Sequence, residues 1–451
     1  MGPVTLDGNQ RGGPPLGAPP PLWGGRRAPS EPATSRNVSS GSAARVRPFA
    51  TETICVAVLP PNLMGETRRL PTRRILMVYT LVGRGGDSVQ VLALAEAMRR
   101  LGHKVELVGG IPIRPYAFGN LDGRARSSAR GLPSWVREGF VLVLNLAVFL
   151  EALFAAARFR PDTVFERVTP YGPAGRWLAR LFRCPLVAHM DAPFAEERAY
   201  RGDGLILCLH RRAMRRIGVA ADVVVMGSEA SRRHFAKLGI PRSRTILMRN
   251  GVFPDEMVAA PVGTEQPQVL GFVGSMALWH GVDLLIDAAA RLRRSGHPVR
   301  VRIVGMGRDT ERLVALSEAR GLADVVEFVG PVSHTEALRL IDTFGIAVLP
   351  HTLPWCAPMK LIEYAARGIP AVAPDLPNLR QMWGDDALAY FMPGNAEALA
   401  SSIGFLLDHP EERTRMAAAA WRIVGEQYTW DTQVGGVLAA LDARARGTRR
   451  S

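Results

Sequence analysis

Cysteine is scarce in this sequence, and that scarcity argues against two classes of protein. Four cysteines (Cys55, Cys184, Cys208 and Cys356) are distributed over 451 residues, and none belongs to a Cys-x-x-Cys pair. A disulfide framework and a structural zinc site both need cysteines at closer spacing. The chain instead has 47% hydrophobic residues, which is enough for two or three domains that each bury a core.

Lysine is scarce as well. Only Lys104, Lys237 and Lys360 occur among the 56 basic residues, so a lysine is informative where arginine is the usual choice. Part of the net charge of +15 comes from ten arginines against four acidic residues in residues 1–74, and the rest is spread along the chain. No zinc-finger spacing or basic-region heptad is present, so nucleic acid is not favoured as a partner. Anionic lipid or an anionic ligand fits this charge better.

The N-terminal part lacks the signals of an exported or compact segment. It has no charged start followed by an apolar run, so we expect a cytoplasmic protein, with the inner face of the membrane as an alternative location. Residues 1–50 contain nine prolines and eight glycines, a composition that buries too little apolar surface to offset chain entropy. We therefore predict a disordered tail over residues 1–72, with Met64 as an alternative start.

Short apolar strands alternate with helices from residue 74 onward, which predicts an α/β fold. A strand over 75–80 leads into a Gly-rich turn, where the backbone N–H groups of Gly85 and Gly86 can approach a ligand, and then into a helix. The dinucleotide fingerprint Gly-x-Gly-x-x-Gly is absent here. The alternation restarts at 269–274 after a Pro-containing stretch over 253–267. We predict two doubly wound parallel sheets of similar size, with the domain boundary in that stretch.

The most apolar long segment is residues 140–159, FVLVLNLAVFLEALFAAARF. Asn145, Glu151 and Arg158 interrupt it, which disfavours a transmembrane span. A core helix is the favoured interpretation. A helix that lies in a membrane interface beside the arginine-rich segment 111–137 is the alternative.

Two polar residues directly follow a predicted strand in the first half. His189 and Asp191 come just after Leu186–Ala188, and α/β sheets place ligand-contacting residues at the carboxyl ends of their strands. We interpret both as candidates for chemistry, with a role in holding the loop as the alternative.

The stretch PMKLIEYAARGIP (358–370) predicts a short helix between two strands. Pro358 suits the first helical position and Gly368 suits the helix end. Such a helix presents unpaired N–H groups and the positive end of its dipole at a sheet edge, where phosphate groups bind. Lys360 adds a positive charge there, although a solvated surface helix is the alternative interpretation.

In order, the segments GFVGSMALWHGVDLLIDAAARL, VRIVGMGRDTERL, VEFVGPVS and PMKLIEYAARGIPAV resemble the nucleotide-binding domain of retaining glycosyltransferases of family 4, which have the GT-B fold. The segments GGDSVQVLALAEAMRRLGHKVELV and MRNGV resemble that family's acceptor-side domain. The resemblance implies two Rossmann-like domains facing across a cleft. Its expected limits are 73–255 for the acceptor side, 256–427 for the nucleotide-sugar side and 428–447 for a terminal helix that crosses back.

The resemblance also implies site residues. Glu363 matches the second glutamate of the family's Glu-x7-Glu motif, which contacts the nucleotide ribose, while Trp355 replaces the first glutamate. The usual phosphate-binding Arg and Lys fall at Ser275 and His280, so a subgroup with G-S-x-x-x-W-H-G and P-x-K-x-x-E-Y motifs matches better, with His280 and Lys360 sharing the phosphate charge. The expected catalytic residues are His189, Asp191, His280 and Lys360. The expected donor-nucleotide set is Gly274, Ser275, His280, Gly305, Gly330, Pro358, Met359, Lys360 and Glu363.

By this resemblance the chain moves a sugar from a nucleotide-diphosphate donor to a glycan or lipid-linked acceptor. The arginine-rich segment beside the apolar residues 140–159 separately predicts peripheral contact with anionic membrane. No cofactor or metal is expected, because prepositioned cations and helix N–H groups can meet the charge of the departing diphosphate and the sequence has no Asp-x-Asp motif. Two alternatives remain open. One is a catalytically silent nucleotide-sugar or lipid-binding module, and the other is an inverting transferase or epimerase on the same fold.

Overall fold

The computed structural model describes residues 71–80, 86–109, 134–169, 172, 174–191, 193, 207–261 and 266–448. The predicted tail over 1–72, apart from its last two residues, lies outside this range, as does Gly85.

The first half of the chain forms a six-stranded sheet in the order β2-β1-β3-β4-β5-β6, and every neighbouring pair is parallel. Its central strands are nearly continuous runs of buried Val, Ile, Leu, Met and Phe, as expected for a parallel sheet covered by helices on both faces. The strands are β1 (Arg74–Tyr79), β2 (Lys104–Gly109), β3 (Thr163–Arg167), β4 (Leu186–His189), β5 (Val223–Met226) and β6 (Thr245–Leu247).

Helices cover both faces of this sheet. The first-half helices are α1 (Gly86–Arg100), α2 (Ser134–Phe159), α3 (Ala174–Phe182), α4 (Leu207–Ala220) and α5 (Glu229–Lys237). Buried residues of α2, α3 and α4 share one apolar cluster, which includes Val148, Leu178 and Met214. Residues of α1 belong to a separate cluster with the inward-facing side chains Ile75 and Met77 of β1. The outer helices α2, α3 and α4 therefore lie on the same face of the sheet, opposite α1.

The second half forms another parallel six-stranded sheet, in the order β12-β11-β10-β7-β8-β9. Its strands are β7 (Val269–Val273), β8 (Arg300–Val304), β9 (Val326–Gly330), β10 (Ile346–Val348), β11 (Ala371–Pro374) and β12 (Ala389–Phe391). Its helices are α6 (Val282–Arg294), α7 (Thr310–Ala319), α8 (His334–Ile341), α9 (Met359–Ala366), α10 (Pro377–Trp383), α11 (Ala396–Asp408) and α12 (Pro410–Gln427). The α/β class with two doubly wound parallel sheets is thus confirmed.

The chain order reverses between β1 and β3 in the first sheet and between β7 and β10 in the second. Ligands of doubly wound sheets bind at such switch points, outside the carboxyl ends of the strands. The topology therefore predicts ligand sites at the carboxyl ends of β1 and β3, and at the loops after β7 and β10.

The last helix, α13 (Trp430–Thr448), returns to the first sheet. Trp430, Val434 and Leu438 are buried in the same cluster as α1. Just before it, Val252 N donates to Tyr428 O at 3.0 Å, and Trp430 N donates to Val252 O at 3.0 Å. The two chain crossings between the sheets are therefore hydrogen-bonded to each other. The predicted domain limits stay a prediction.

Three local predictions differ from the structure. His189, expected just after a strand, is the last residue of β4. Gly86 is the first residue of α1 and not part of the preceding turn, since a glycine is tolerated at a helix start. Helix α9 begins at Met359, so Pro358 occupies the N-cap and not the first helical position. The N-cap conformation is extended, which the fixed φ of proline also allows.

Candidate active site

The carboxyl end of the second sheet holds a cluster of three predicted site residues at its switch point. Lys360 Nζ lies 3.4 Å from His280 Nδ1 and 4.4 Å from the centre of the Phe272 ring. A Cβ on Gly274 would lie 2.8 Å from the same Nζ atom. The lysine therefore fills the space that the glycine leaves open, and the structure brings Gly274, His280 and Lys360 together as predicted.

Gly274 has a backbone reason to be glycine as well. Its φ is +151°, a conformation that favours glycine, and it directly follows the last residue of β7. Gly305 (φ +120°) follows β8, and a Cβ there would lie 2.2 Å from Gly274 O. Gly305 N donates to Gly330 O at 2.8 Å. Gly305 therefore lets the ends of β7 and β8 pack closely together, and its hydrogen bond to Gly330 joins them to the end of β9.

Helix α9 starts without a side-chain cap. Ser333 and Asn395 accept hydrogen bonds from the first N–H groups of α8 and α11, whereas Pro358 offers no such acceptor to α9. No acidic residue occupies the first turn of α9. The first N–H groups of this helix are therefore left for an anion, beside the Lys360 ammonium.

The environment of Lys360 lowers the proton affinity of its side-chain nitrogen. Burial lowers the pKa of Lys360 to about 8, and the nearby Glu363 carboxylate opposes that shift. Desolvating a cation costs free energy unless an anion compensates for it. In the part of the chain that the structure describes, Lys360 makes no ion pair. A cation in this state can bind a negatively charged ligand.

The remaining donor-side candidates surround this cluster. Tyr364, next to Glu363 on α9, accepts a hydrogen bond from Val273 N at 2.9 Å and so ties α9 to the end of β7. Ser275 is exposed, and Pro358 and Met359 are partly exposed at the start of α9. Met359 also packs against the apolar cluster of the first sheet, so the start of α9 reaches across to the other half of the molecule.

The Glu363 side chain is paired with a histidine that the sequence pattern does not indicate as a site residue. Its side chain is buried, and Oε1 lies 3.8 Å from His334 Nδ1. His334 Nε2 in turn lies 3.2 Å from Glu256 Oε1. Burial raises the pKa of Glu363, although the positive charges of His334 and Lys360 oppose the rise. The neighbouring carboxylates outweigh desolvation and raise the pKa of His334.

Trp355 does not supply a substitute for the missing glutamate. Its side chain is buried, with 8% of its surface exposed, and an indole offers only one N–H donor and no acceptor.

A second polar cluster lies at the carboxyl end of the first sheet. His189 Nε2 lies 2.5 Å from Asp191 Oδ1, and an Arg167 guanidinium nitrogen lies 2.9 Å from Asp191 Oδ2. Burial alone would raise the pKa of Asp191, but the charges of His189 and Arg167 outweigh it and hold that pKa well below its usual range. Asp191 is therefore a carboxylate at neutral pH. Its side chain is partly open to solvent, whereas the His189 side chain is fully buried.

A chain of hydrogen bonds connects this cluster to the start of α9. Arg167 donates to Gln90 Oε1, and Gln90 Nε2 donates to Asn250 Oδ1 at 2.7 Å. Asn250 Nδ2 donates to Ala357 O at 2.8 Å. The carbonyl of Ala357 precedes the N-cap of α9, so one asparagine side chain links the polar clusters of both sheets.

Sequence reasoning missed Gln90, Arg167, Asn250 and His334. Arg167 carried a usable signal, because it ends β3 just as His189 ends β4, and the two residues are paired in the parallel register. Gln90, Asn250 and His334 carried no such signal, because the residues that they contact are distant along the chain. Gly86 contacts neither cluster through any described bond, and its role stays a prediction.

Two parallel sheets, each with a polar cluster at its carboxyl end, can be compared with known proteins. Residues 85–251 match the model of the glycosyl transferase 4-like domain, and residues 256–422 match that of glycosyl transferases group 1. The two matches follow each other along the chain and correspond to the two sheets. The chain therefore belongs to the glycosyltransferase 4-like family.

Similar proteins extend over nearly the same length. The glycogen synthase of Mycobacterium tuberculosis is 24% identical over 84% of this chain and 96% of that protein. The phosphatidyl-myo-inositol mannosyltransferase of Mycobacterium leprae is 26% identical over 80% of this chain and 94% of that protein. The structure of Anabaena HepE in complex with UDP superposes with a TM-score of 0.61, at 18% identity, over 82% of this chain and 99% of that one. The chain is a glycosyltransferase with the GT-B fold.

Proposed function

We propose that this glycosyltransferase takes its sugar from a nucleoside-diphosphate donor and retains the anomeric configuration, without a metal ion. The observation that carries the proposal is the Lys360 ammonium, without an ion pair in the described structure, beside His280 at the uncapped start of α9. Anabaena HepE has been solved with UDP and with UDP-glucose, which supports a nucleotide sugar as donor.

In the proposed reaction the bond between the sugar anomeric carbon and the diphosphate oxygen breaks, and a bond to an acceptor hydroxyl oxygen forms on the same face. The acceptor proton passes to an oxygen of the departing diphosphate. Lys360, His280 and the first N–H groups of α9 meet the negative charge that develops there, which stabilises the transition state. Glu363 accepts hydrogen bonds from the nucleotide ribose, and His334 fixes its orientation. Gly274, Ser275, Gly305 and Gly330 supply backbone around the phosphates.

On the opposite side, Asp191 is the partly open carboxylate of its cluster and is placed to accept a hydrogen bond from the sugar or the acceptor. His189 is buried and acts through Asp191, so we assign it a positioning role. The acceptor is a glycan or a lipid-linked sugar, and the reaction takes place in the cytoplasm. The relative named phosphatidyl-myo-inositol mannosyltransferase supports a lipid acceptor.

A screen of nucleoside diphosphates and their sugars by thermal shift identifies the donor, because a ligand that binds only the folded state raises the melting temperature. Turnover is then measured with the selected donor, and NMR of the product gives its anomeric configuration. We expect one base to dominate and the donor configuration to be kept. An inverted product would assign the chain to the inverting alternative, and failure of every diphosphate to bind would overturn the proposal.

A catalytically silent nucleotide-sugar-binding module is the second candidate, and it is favoured by one observation. Trp355 is buried where the family has a carboxylate for the donor sugar, so the sugar loses that contact. This candidate predicts a donor-dependent thermal shift with neither transfer nor donor hydrolysis. Detectable product from wild type that Lys360→Met abolishes would exclude it.

A further inference from the structure

Helix α2 exposes a large apolar surface to solvent. Among the described residues, ten large apolar side chains are more than half exposed, and eight of these lie on α2 and the adjacent α3. They are Phe140, Leu142, Val143, Leu146, Leu150, Phe154, Trp177 and Leu181. Contiguous exposed apolar area of this kind marks an interaction surface. We call these eight side chains the apolar patch.

The spacing of the apolar patch shows that it is one face of a helix. Val143, Leu150 and Phe154 recur at intervals of three to four residues or their multiples, as positions on one side of an α-helix do. The opposite side of α2 carries Val148 and Ala152, which are fully buried against the sheet. The predicted core helix is thus correct for one side of α2 only. Its other side matches the interfacial alternative.

Basic residues lie on the same face of the first sheet as the apolar patch. Helices α2, α3 and α4 cover the same face of the first sheet, and together they contain eight arginines against two glutamates, both of which are in α2. On α4, Arg212 and Arg216 are exposed, and on α3, Arg180 is exposed. An apolar face with arginine beside it is the pattern of a helix that lies in a membrane interface and attracts anionic lipid.

We propose that the apolar patch and the arginines of α3 and α4 form the surface by which this protein docks on an anionic lipid bilayer. A second copy of the chain is a poorer occupant, because a symmetric contact would bring the same arginine-rich helices of both copies together. The bilayer offers acyl chains for the patch and negative headgroups for the arginines.

The helix lies on the bilayer and does not cross it. By length and composition alone, Gly139–Phe159 is the one helix among the described residues that is suited to span a membrane. Crossing would remove Val148, Ala152 and Ala156 from the core of the first sheet and leave the apolar face of that sheet uncovered. Partial burial of the outer face satisfies the apolar side chains without unfolding the domain.

Vesicle flotation of the full chain tests the proposal. The probes are vesicles of phosphatidylcholine alone and of phosphatidylcholine with phosphatidylglycerol, at 0.1 M and 0.5 M salt. We expect at least about fivefold more protein bound to anionic vesicles, with weaker binding at high salt. Equal binding to both vesicles, or no binding to anionic ones, would overturn the proposal.

Two sets of variants distinguish binding through the apolar patch and the arginines from non-specific adsorption to vesicles. Val143→Gln, Leu150→Gln and Phe154→Gln in combination should lower binding about tenfold or more, and Arg180→Gln, Arg212→Gln and Arg216→Gln should abolish the preference for anionic lipid. The matched controls alter exposed side chains elsewhere: Met392→Gln with Phe405→Gln, and Arg294→Gln with Arg300→Gln. Equal loss in the controls would contradict the assigned surface.

A measurement without vesicles tests the alternative that a second copy of the chain covers the apolar patch. If analytical ultracentrifugation shows a dimer that only the apolar-patch variant dissociates, the surface belongs to a second copy and the membrane proposal fails. The donor-dependent thermal shift of the apolar-patch variant should match that of wild type, because no residue of α2 or α3 belongs to the donor cluster. Loss of docking with retained donor binding therefore tests this surface independently of the proposed reaction.

Discussion

The polar clusters of the two sheets occupy equivalent positions, yet their charges are arranged in opposite ways. In the first sheet, Asp191 contacts both Arg167 and His189, so its charge is compensated within the protein. In the second sheet, Lys360 forms no ion pair with a described residue and lies beside a histidine and an aromatic ring. A compensated cluster holds a loop in place and orients neutral groups, whereas an uncompensated cation with a lowered pKa awaits an anion.

Replacement of the uncompensated cation should have the largest effect. Lys360→Met should lower kcat/KM by about 100-fold or more, because the cation that meets the departing diphosphate is lost. The same change should stabilise the free protein by about 1 kcal/mol, since a partly buried charge that forms no ion pair is removed. Enzyme kinetics and urea unfolding measure the two effects.

Lys104→Met is the matched control, because Lys104 is an exposed lysine at the start of β2. It should change neither quantity by more than a small factor. If Lys360→Met were to destabilise the protein and leave turnover intact, Lys360 would have a structural role and the contrast between the clusters would fail.

Removal of the compensating carboxylate should mainly affect stability. Asp191→Asn removes the carboxylate that contacts both the nearly buried Arg167 guanidinium and the buried His189 ring, so the free energy of unfolding should fall by about 2–3 kcal/mol. Because the pKa of Asp191 is lowered in the folded state, its contribution is complete above the unfolded pKa of about 4 and is lost as the pH falls through the folded pKa. Urea titrations between pH 7 and pH 3 measure both.

An exposed ion pair gives the comparison for this variant. Asp375 pairs with Arg380 at the surface, and Asp375→Asn should cost less than about 1 kcal/mol. Equal losses from both variants would show that the cluster around Asp191 is no more important to folding than a surface pair.

Loss of the hydrogen-bonded link between the two polar clusters should have an intermediate effect on kcat/KM. Asn250→Ala removes the hydrogen bonds to Gln90 and to Ala357 O, so we expect kcat/KM to fall about tenfold as the two halves of the site lose their alignment. A double-mutant cycle of Gln90→Ala with Asn250→Ala should show non-additive effects on kcat/KM.

A second double-mutant cycle, which uses Asn378, is the control. It donates to Cys356 O, next to Ala357, from within the second half of the chain. Gln90→Ala with Asn378→Ala should therefore be additive. Coupling of equal size in both cycles would mean that the loop before α9 matters, and not the link through Asn250.

The smallest predicted effect is a pH dependence of donor binding. Because the pKa of Lys360 is about 8 in the free protein, its charge is present below that pH and is lost above it. The Kd for the nucleoside diphosphate should rise about three- to tenfold between pH 7 and pH 9.5. Isothermal titration calorimetry measures this, and Lys360→Met should show a flat profile. An equal pH dependence in that variant would assign the titration to another group.

Local pattern was sufficient for most elements of the fold. A short helix between two strands is expected within 358–370, and α9 (Met359–Ala366) lies there between β10 and β11, because apolar periodicity and the flanking breakers are properties of neighbouring residues. The bare start of α9 was predicted on the same ground. Strand β12 and helices α8, α10, α11 and α12 were not predicted, although Ser333 and Asn395 cap α8 and α11 and a proline begins α10 and α12.

The sequence by itself determined the two-sheet class and the position of Lys360 at a helix start, since both follow from residues adjacent along the chain. Only the tertiary structure decided that Glu363 faces His334, that Asn250 reaches Ala357 O, and that one side of α2 remains exposed. The reason is physical. Such contacts join residues distant in sequence, and the free energy of a charge or an apolar side chain depends on what the fold places beside it.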